Sequence, residues 1–343
     1  MQGIITKYPT FCPTLPEKKH TEKKLLNNDY ILKLRRCGFD DIANRVAECG
    51  DFLVFSLQEH LITSERRRRL KRANMCKDRF CAYCNWRRAI NLSDELRKAL
   101  ERLKGERGVE VLFLTLTAKN GLIECLRATI KHMNEAFKRL TQTKRFKSSV
   151  LGYVKAIEIL GSKTKNGESH VHFHCLLVVP KSYFSGKYYI KHAEWVEMWK
   201  KALRVDYEPV VDVRRVRAKK NWSEERSASR ETIKYSLKHT DLVNRTDEDF
   251  RNIILQTKGM RFISTGGLLR KMINLQRVED AEIKQDLDPL WVEIAEEIYK
   301  WLSGDYRLYD VNLSGAELAE TNNEAREKLY FSAPPTRACL SCR

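Results

Sequence analysis

The chain has 343 residues, of which 42% are hydrophobic, so it is long enough to bury the cores of about two domains. Its 64 lysines and arginines exceed its 45 acidic residues, giving a net charge of +19. A charge of this size predicts a polyanionic partner, nucleic acid ahead of an acidic membrane surface. No run of about 18 apolar residues is present, which argues against a membrane-spanning helix.

The amino-terminal segment and the cysteine content indicate the compartment. The first residues, MQGIITKYPTF, lack the apolar core of a signal peptide, so we expect the protein in the cytoplasm. There the ten cysteines are expected to be reduced, with some of them bound to metal, rather than paired in disulfides.

A polar arm and a basic region open the chain. Residues 1–24 are polar and contain three prolines, which predicts a flexible arm. Apolar spacing then predicts helices over 25–47 and a strand over 51–58. The run ERRRRLKR follows, and most such runs form a solvated face. Because this run leads directly into a group of cysteines, we expect phosphate contact from Arg66, Arg67, Arg68 and Arg69.

The segment MCKDRFCAYC carries three cysteines. Cys81 and Cys84 have the spacing of a metal-binding knuckle, and Cys76 adds a third thiolate. The sequence therefore predicts a structural zinc ion, with buried free thiols as the alternative. A tetrahedral zinc ion needs a fourth ligand, for which Cys49 competes with the carboxy-terminal pair, Cys339 and Cys342. Residues 25–105 are thus expected to bind zinc and DNA.

Residues 106–245 are expected to form a largely antiparallel sheet backed by helices, which is an α+β fold. Strand-forming residues predict strands over 109–118, 152–160, 170–180 and 210–217, the second and third joined as a hairpin. Helical periodicity predicts helices over 83–104, 122–140, 194–203 and 223–239. Residues 246–330 are expected to form a helical carboxy-terminal region, with helices over 247–256 and 289–302, and 331–343 to form a tail.

The stretch HVHFHCLLVVP reads as one strand with two faces. Side chains alternate across a strand, so His170, His172 and His174 share one face, and the apolar side chains between them share the other. A pair of imidazoles so placed can hold a metal ion. The alternative is a polar strand with chance histidines, but three of the eight histidines fall within these five residues.

A third stretch, RETIKYSLK, lies in the predicted helix 223–239. Glu231 and Tyr235 are four residues apart and so are neighbours on one helix face, with Lys234 and Lys238 close by. Taken alone, this pattern is that of a surface helix with an ordinary Glu–Lys pair, worth about 0.2–0.5 kcal/mol.

Taken in order, these motifs resemble those of the replication initiators of small rolling-circle plasmids, within the HUH endonuclease superfamily. FLTLT, residues 113–117, resembles the first family motif. HFH, residues 172–174, resembles the motif that names the superfamily, and EXXKYXXK, residues 231–238, resembles the catalytic tyrosine motif. The cysteines followed by Trp86, Arg87 and Arg88 fit the same pattern, so the resemblance spans about residues 40–270.

The resemblance implies a metal-dependent enzyme that nicks origin DNA. His172 and His174 would bind Mg²⁺ or Mn²⁺, with Glu158 as the expected third ligand, because its strand should lie beside the histidine strand, and His170 as the alternative. Tyr235 would attack the phosphorus and leave a 5′-phosphotyrosine and a free 3′-hydroxyl, while Glu231 would activate water to end the cycle.

Lys234 and Lys238 would hold phosphate and help the tyrosine ionise. No Walker loop is present, so a host helicase is an expected partner. Two other functions remain open: a related transposase or relaxase, and a zinc-dependent DNA-binding regulator without chemistry.

Overall fold

The computed structural model describes residues 18–161, 163–216, 239–281, 283 and 288–313. By its internal contacts the chain divides into two compact units, each built from separate stretches. Of the described residues, the first unit comprises 18–25, 48–75, 283 and 288–313, and the second comprises 26–47, 76–161, 163–216 and 239–281. The contiguous domain boundaries expected at residues 24, 105, 245 and 330 stay predictions.

Helices and strands interleave along the described residues. The helices, α1 to α11 in chain order, are Lys18–Leu25, Asn27–Arg36, Asp40–Ala47, Ala82–Arg107, Leu126–Gln142, Lys144–Ser149, His192–Leu203, His239–Val243, Asp247–Thr257, Leu269–Met272 and Leu275–Glu279. The strands, β1 to β11, are Phe52–His60, Arg66–Ala73, Val109–Thr117, Gly121–Leu122, Gly152–Glu158, Glu168–Ser169, His172–Pro180, Val211–Arg215, Ile263–Gly267, Trp291–Leu302 and Asp305–Leu313. No helix among them is both long and apolar enough to cross a membrane.

The second unit is organised around a five-stranded sheet with the order β8-β3-β7-β5-β9. Every neighbouring pair is antiparallel, so the predicted hairpin of β5 and β7 is confirmed. The histidine strand β7 is central, with Thr115 of β3 opposite His174 on one side and Glu158 of β5 opposite His172 on the other.

One face of this sheet changes from apolar to polar along β7. Leu176 and Val178 pack against the apolar side of α4, which contributes Leu96, Leu100 and Leu103 to the same buried cluster. Because side chains alternate, His172 and His174 continue this face beyond the end of the cluster. The imidazoles therefore stand on a rigid strand whose other half is fixed in the core.

The opposite face is covered by helices, as its apolar side chains predict. Phe173 packs edge-on against Phe137 of α5, with the ring centroids 5.9 Å apart, and lies 6.3 Å from the ring of Trp199 of α7. Cys175, Leu177 and Val179 are also buried. The helical layer on this side of the histidine strand is confirmed.

Helix α4 is longer than its sequence predicts. It continues through Gly105 to Arg107 and ends where Gly108 adopts a positive φ of 63°, a conformation that favours glycine. The helix predicted over 83–104 therefore continues past Gly105 to a second glycine, Gly108, because a single glycine costs a long, well-packed helix only about 1 kcal/mol.

The first unit contains a four-stranded antiparallel sheet with the order β11-β10-β1-β2. The helix predicted over 289–302 is wrong, because Trp291–Leu302 is strand β10, whereas the helix predicted over 247–256 is confirmed as Asp247–Thr257. The segment WVEIAEEIYKWL buries Ala295, Glu297 and Tyr299 at every second position. Pairing with strands on both sides decides its structure, since strand preference depends on such partners.

The predicted helix over 223–239 lies outside the described residues except for its last residue. Antiparallel sheets backed by helices form the described part of the chain, so the predicted α+β class is confirmed.

Candidate metal centre

Three predicted ligands converge at the polar end of the second unit's sheet. The Nε2 atoms of His172 and His174 each lie 3.0 Å from Oε2 of Glu158. These three form a group of metal-binding side chains within the second unit, with their ligand atoms within 4.8 Å of one another. Adjacent ligands of an octahedral ion at about 2.1 Å are about 3.0 Å apart, so the spacing suits a small divalent cation.

Hydrogen bonding fixes which nitrogen of His172 faces the group. Its Nδ1 lies 2.9 Å from the carbonyl oxygen of His170, and a carbonyl can only accept, so Nδ1 carries a proton. In the neutral ring, Nε2 then presents a lone pair towards Glu158, whose carboxylate is also an acceptor. A cation between the two acceptors, a proton or a metal ion, removes their repulsion, and the donor set therefore fits a metal.

His174 is positioned by the FLTLT motif. Its Nδ1 lies 3.3 Å from Oγ1 of Thr115, and its ring stacks on Phe113 at a centroid distance of 5.8 Å and an angle of 26°. Both contacts follow from strand register, because Thr115 lies directly opposite His174. The sequence identifies Phe113 and Thr115 as part of the FLTLT motif but does not reveal their contact with the histidine.

His170 lies outside the three-residue group. Strand β7 begins at His172 rather than at His170, and Nδ1 of His170 lies 2.7 Å from Oδ1 of Asn120. The backbone carbonyl oxygen of His170 accepts from Nδ1 of His172 and so orients that ring. Of the two candidates for a third ligand, the structure brings Glu158 into the group, and the ligand role itself stays a prediction.

Burial and mutual contact set the ionisation of the group. Burial alone would raise the pKa of Glu158, but hydrogen bonds and charge from His172 and His174 lower this pKa to about 2. Burial lowers the pKa of His174 despite the nearby carboxylate. At neutral pH the carboxylate is therefore ionised and His174 is neutral, the forms in which both bind metal.

Three of the predicted cysteines, Cys76, Cys81 and Cys84, lie in the second unit. Cys49 belongs to the first unit, and its role as the fourth ligand stays a prediction. The sulfurs of Cys76 and Cys84 lie 3.6 Å apart, against about 3.8 Å expected across a tetrahedral zinc site. Backbone N–H of Asp78 donates to Cys76 at 3.4 Å, and Nδ2 of Asn27 donates to Cys81 at 3.3 Å, which favours thiolate charge. Cys339 and Cys342 lie outside the described residues.

Comparison with known proteins decides the family. The family described as "Replication protein" matches residues 67–306, more than half of the chain. The chain belongs to this replication protein family.

Curated relatives of this replication protein cover most of its length. "Protein rep" of Lentilactobacillus hilgardii is 36% identical over 298 residues, which are 83% of this chain and 92% of the relative. "Protein rep" of Lactiplantibacillus plantarum is 34% identical over 82% of this chain and 91% of the relative. "Protein rep" of Streptococcus pneumoniae is 32% identical over 76% of this chain and 81% of the relative. No solved structure matches. The recognition of a replication initiator of the Rep type from its motifs is confirmed.

The basic run of this replication protein forms strand β2, where its arginines contact the protein itself. Arg66 pairs with Glu59 at 2.7 Å and Arg68 with the buried Glu297 at 2.8 Å. Arg67 donates to Oε1 of Gln58 at 2.8 Å and its guanidinium lies 3.7 Å from the ring centroid of Trp291. Arg69 is exposed. Sequence reasoning missed these partners because they come from other strands, and the predicted phosphate contacts stay predictions.

The predicted catalytic helix of the replication protein is known from its sequence alone. Glu231, Lys234, Tyr235 and Lys238 lie outside the described residues, and their roles stay predictions. The matched family range includes all four positions.

Proposed function

We propose that this chain nicks a plasmid replication origin through a covalent tyrosine intermediate and so starts rolling-circle replication. The observation that supports this most is the convergence of Glu158, His172 and His174 on one sheet face in a chain that belongs to a replication protein family. The same face carries the FLTLT residues that contact His174.

The two groups of ligands suit different metals. Glu158, His172 and His174 would hold Mg²⁺ or Mn²⁺, since nitrogen and oxygen ligands with open positions suit such ions, whereas four thiolates suit a structural Zn²⁺. When bound, the catalytic ion supplies Lewis-acid polarisation of the scissile phosphate.

Tyr235 is the proposed nucleophile. Its oxygen bonds to the phosphorus while the bond from phosphorus to the 3′ oxygen breaks, which leaves a 5′-phosphotyrosine and a 3′-hydroxyl that can prime synthesis. A tyrosine with its ordinary pKa of about 10 is mostly protonated at neutral pH, so nearby positive charge is needed to favour its ionised form. Lys234 and Lys238 are the proposed sources of this charge and of contacts to phosphate.

The test is a nicking assay on supercoiled plasmid carrying the cognate origin, in the presence of Mn²⁺. The wild-type chain should give nicked circles with protein attached to the 5′ end, and Tyr235→Phe should give neither product while still binding origin DNA. Tyr189→Phe, which alters an exposed tyrosine outside the motifs, is the matched control and should nick normally.

An adduct formed by Tyr235→Phe at the wild-type rate would assign the nucleophile to another residue. Origin binding without any nicking by the wild-type chain would favour the non-catalytic regulator instead. Nicking that does not require the cognate replication origin would contradict the proposed role as an initiator and leave a related transposase or relaxase as the alternative.

A further inference from the structure

A groove of about 900 Å³ lies within the second unit. The start of helix α3, the loop of the cysteine knuckle and the segment that follows helix α9 form its walls. Its lining combines apolar side chains, among them Phe39 and Met260, with many charged ones. Pockets of roughly 300–1,000 Å³ accept small ligands or short segments of polymer rather than a whole duplex.

Positive charge predominates along this groove. Five cationic side chains line it, namely Arg45, Lys77, Arg79, Lys258 and Arg261. Three aspartates also line it, but Asp78 is occupied within the protein, where it accepts from the hydroxyl of Tyr30 at 3.0 Å and from the backbone N–H of Phe80 at 2.9 Å. Only Asp40 and Asp41 remain as exposed acidic groups of the lining.

Side-chain hydrogen bonds to backbone carbonyl oxygens hold the segments that carry the cationic side chains. Arg88 donates to the carbonyl oxygen of Asp78 at 2.9 Å and to that of Lys77 at 2.5 Å, which holds the knuckle loop. Arg79 donates to the carbonyl oxygen of Met260 at 3.2 Å and lies 4.9 Å from the ring centroid of Phe262, which ties the two walls together. A binding surface built this way loses little conformational entropy when a ligand is bound.

One wall of the groove is connected by backbone hydrogen bonding to the strand that carries Glu158. One wall leads into Phe262, whose carbonyl oxygen accepts from the backbone N–H of Ile157 at 2.9 Å. Ile157 immediately precedes Glu158 at the end of β5. A backbone hydrogen bond therefore links the strand that carries Glu158 to the residue that follows Arg261 of the groove wall.

We propose that this groove binds single-stranded DNA next to the nicked phosphate. Lys258 and Arg261 contact its phosphates, whereas Lys77 pairs with Asp280 at 3.5 Å. The apolar lining contacts its bases, and this combination is typical of surfaces that bind single strands. This assignment rests on the proposed nicking function, because that function supplies the single-stranded substrate.

The test is fluorescence anisotropy with a labelled single-stranded oligonucleotide of origin sequence, without added Mg²⁺ or Mn²⁺ so that no cleavage intervenes. Lys258→Ala combined with Arg261→Ala should weaken binding about tenfold and reduce the slope of log affinity against log salt by about 0.7 for each lost phosphate contact. Lys131→Ala combined with Lys138→Ala removes the same charge from exposed positions on α5 and should change affinity less than twofold. Thermal unfolding of both double variants checks that they are folded.

The outcomes separate this inference from the proposed function. Equal affinity of the groove variant and the control would overturn the groove as a DNA site, whatever the nicking activity. Equal loss of affinity for single-stranded and duplex oligonucleotides would overturn its preference for single strands. A wild-type chain that binds neither oligonucleotide would contradict the proposed function itself.

Discussion

At the residue scale, the candidate metal centre depends on atoms that would not touch the metal. Nδ1 of His172 lies 2.9 Å from the backbone carbonyl oxygen of His170, and Nδ1 of His174 lies 3.3 Å from Oγ1 of Thr115. Each ring is therefore oriented by a contact on the side that faces away from Glu158. Such partners fix the tautomer and the ring angle, and their loss typically costs about 10–100-fold in metal affinity.

Thr115→Val tests this positioning. Valine keeps the shape and removes the hydroxyl beside His174, so we expect Mn²⁺ affinity, measured by isothermal titration calorimetry, to fall about tenfold. Thr115→Ser keeps the hydroxyl and should retain most of the affinity. If the valine and serine variants bind Mn²⁺ equally well, Thr115 has no positioning role.

Glu158→Ala and His170→Ala separate the two candidates for the third ligand. We expect Glu158→Ala to raise the Mn²⁺ concentration needed for half-maximal nicking more than His170→Ala does, because Glu158 contacts both other ligands at 3.0 Å. The reverse order would make His170 the ligand. Alternation along a strand cannot make this choice, since it places all three histidines on one face and does not reveal that β7 begins at His172.

At the element scale, local patterns predict most of the second unit and less of the first. Strands β3, β5 and β7 and helices α4, α5 and α7 follow their sequence periodicity closely. Strand β10 does not, because WVEIAEEIYKWL is compatible with a helix until its partners are known. Those partners include β1, more than 200 residues earlier in the chain, and no local pattern records such pairing.

The cysteine knuckle provides an element-scale prediction. Cys81 is the N-cap of α4 and its sulfur accepts from the N–H of Cys84 at 3.5 Å, so a metal at this sulfur would anchor the start of a 26-residue helix. Elemental analysis should find about one zinc per chain, and Cys81→Ser or Cys84→Ser should lose the zinc and lower the melting temperature.

Cys125→Ser is the matched control, since Cys125 is exposed and is not among the four predicted zinc ligands. It should keep both the zinc and the wild-type melting temperature. A metal-free wild-type chain, or knuckle variants of unchanged stability, would show that the four cysteines serve as buried thiols.

At the scale of the whole molecule, the net charge predicts the class of partner and not the surface that meets it. The densest basic run, over residues 65–72, forms a strand whose Arg66 and Arg68 pair with Glu59 and Glu297. The groove draws its cations from separate stretches, for example Lys77 and Lys258. Folding brings these stretches together. The density of basic residues along the sequence therefore predicts the basic run, and not the groove, as the DNA-binding surface.

In the proposed function, a replication cycle begins and ends with a cleavage. The first cleavage keeps the energy of the broken phosphodiester bond in a covalent bond to the protein, and the last one releases the protein. The first requires a nucleophile that stays attached, which Tyr235 provides in the proposed function. In the same proposal, water completes the last cleavage, and this step requires a general base within reach of the same phosphate. The predicted helical spacing between Glu231 and Tyr235 would place a carboxylate beside the tyrosine, so we propose the second role for Glu231.

Glu231→Ala should therefore nick origin DNA at close to the wild-type rate and fail to resolve the second junction. A plasmid replicated by this variant should accumulate single-stranded products longer than one unit, which gel electrophoresis detects. Glu231→Gln keeps the size of the side chain without its basicity and should show the same defect. If Glu231 only pairs with Lys234, the glutamine variant should leave both steps nearly unchanged. If Glu231→Ala blocks the first nick as completely as Tyr235→Phe, the carboxylate acts in initiation, and the division of labour between the two residues is wrong.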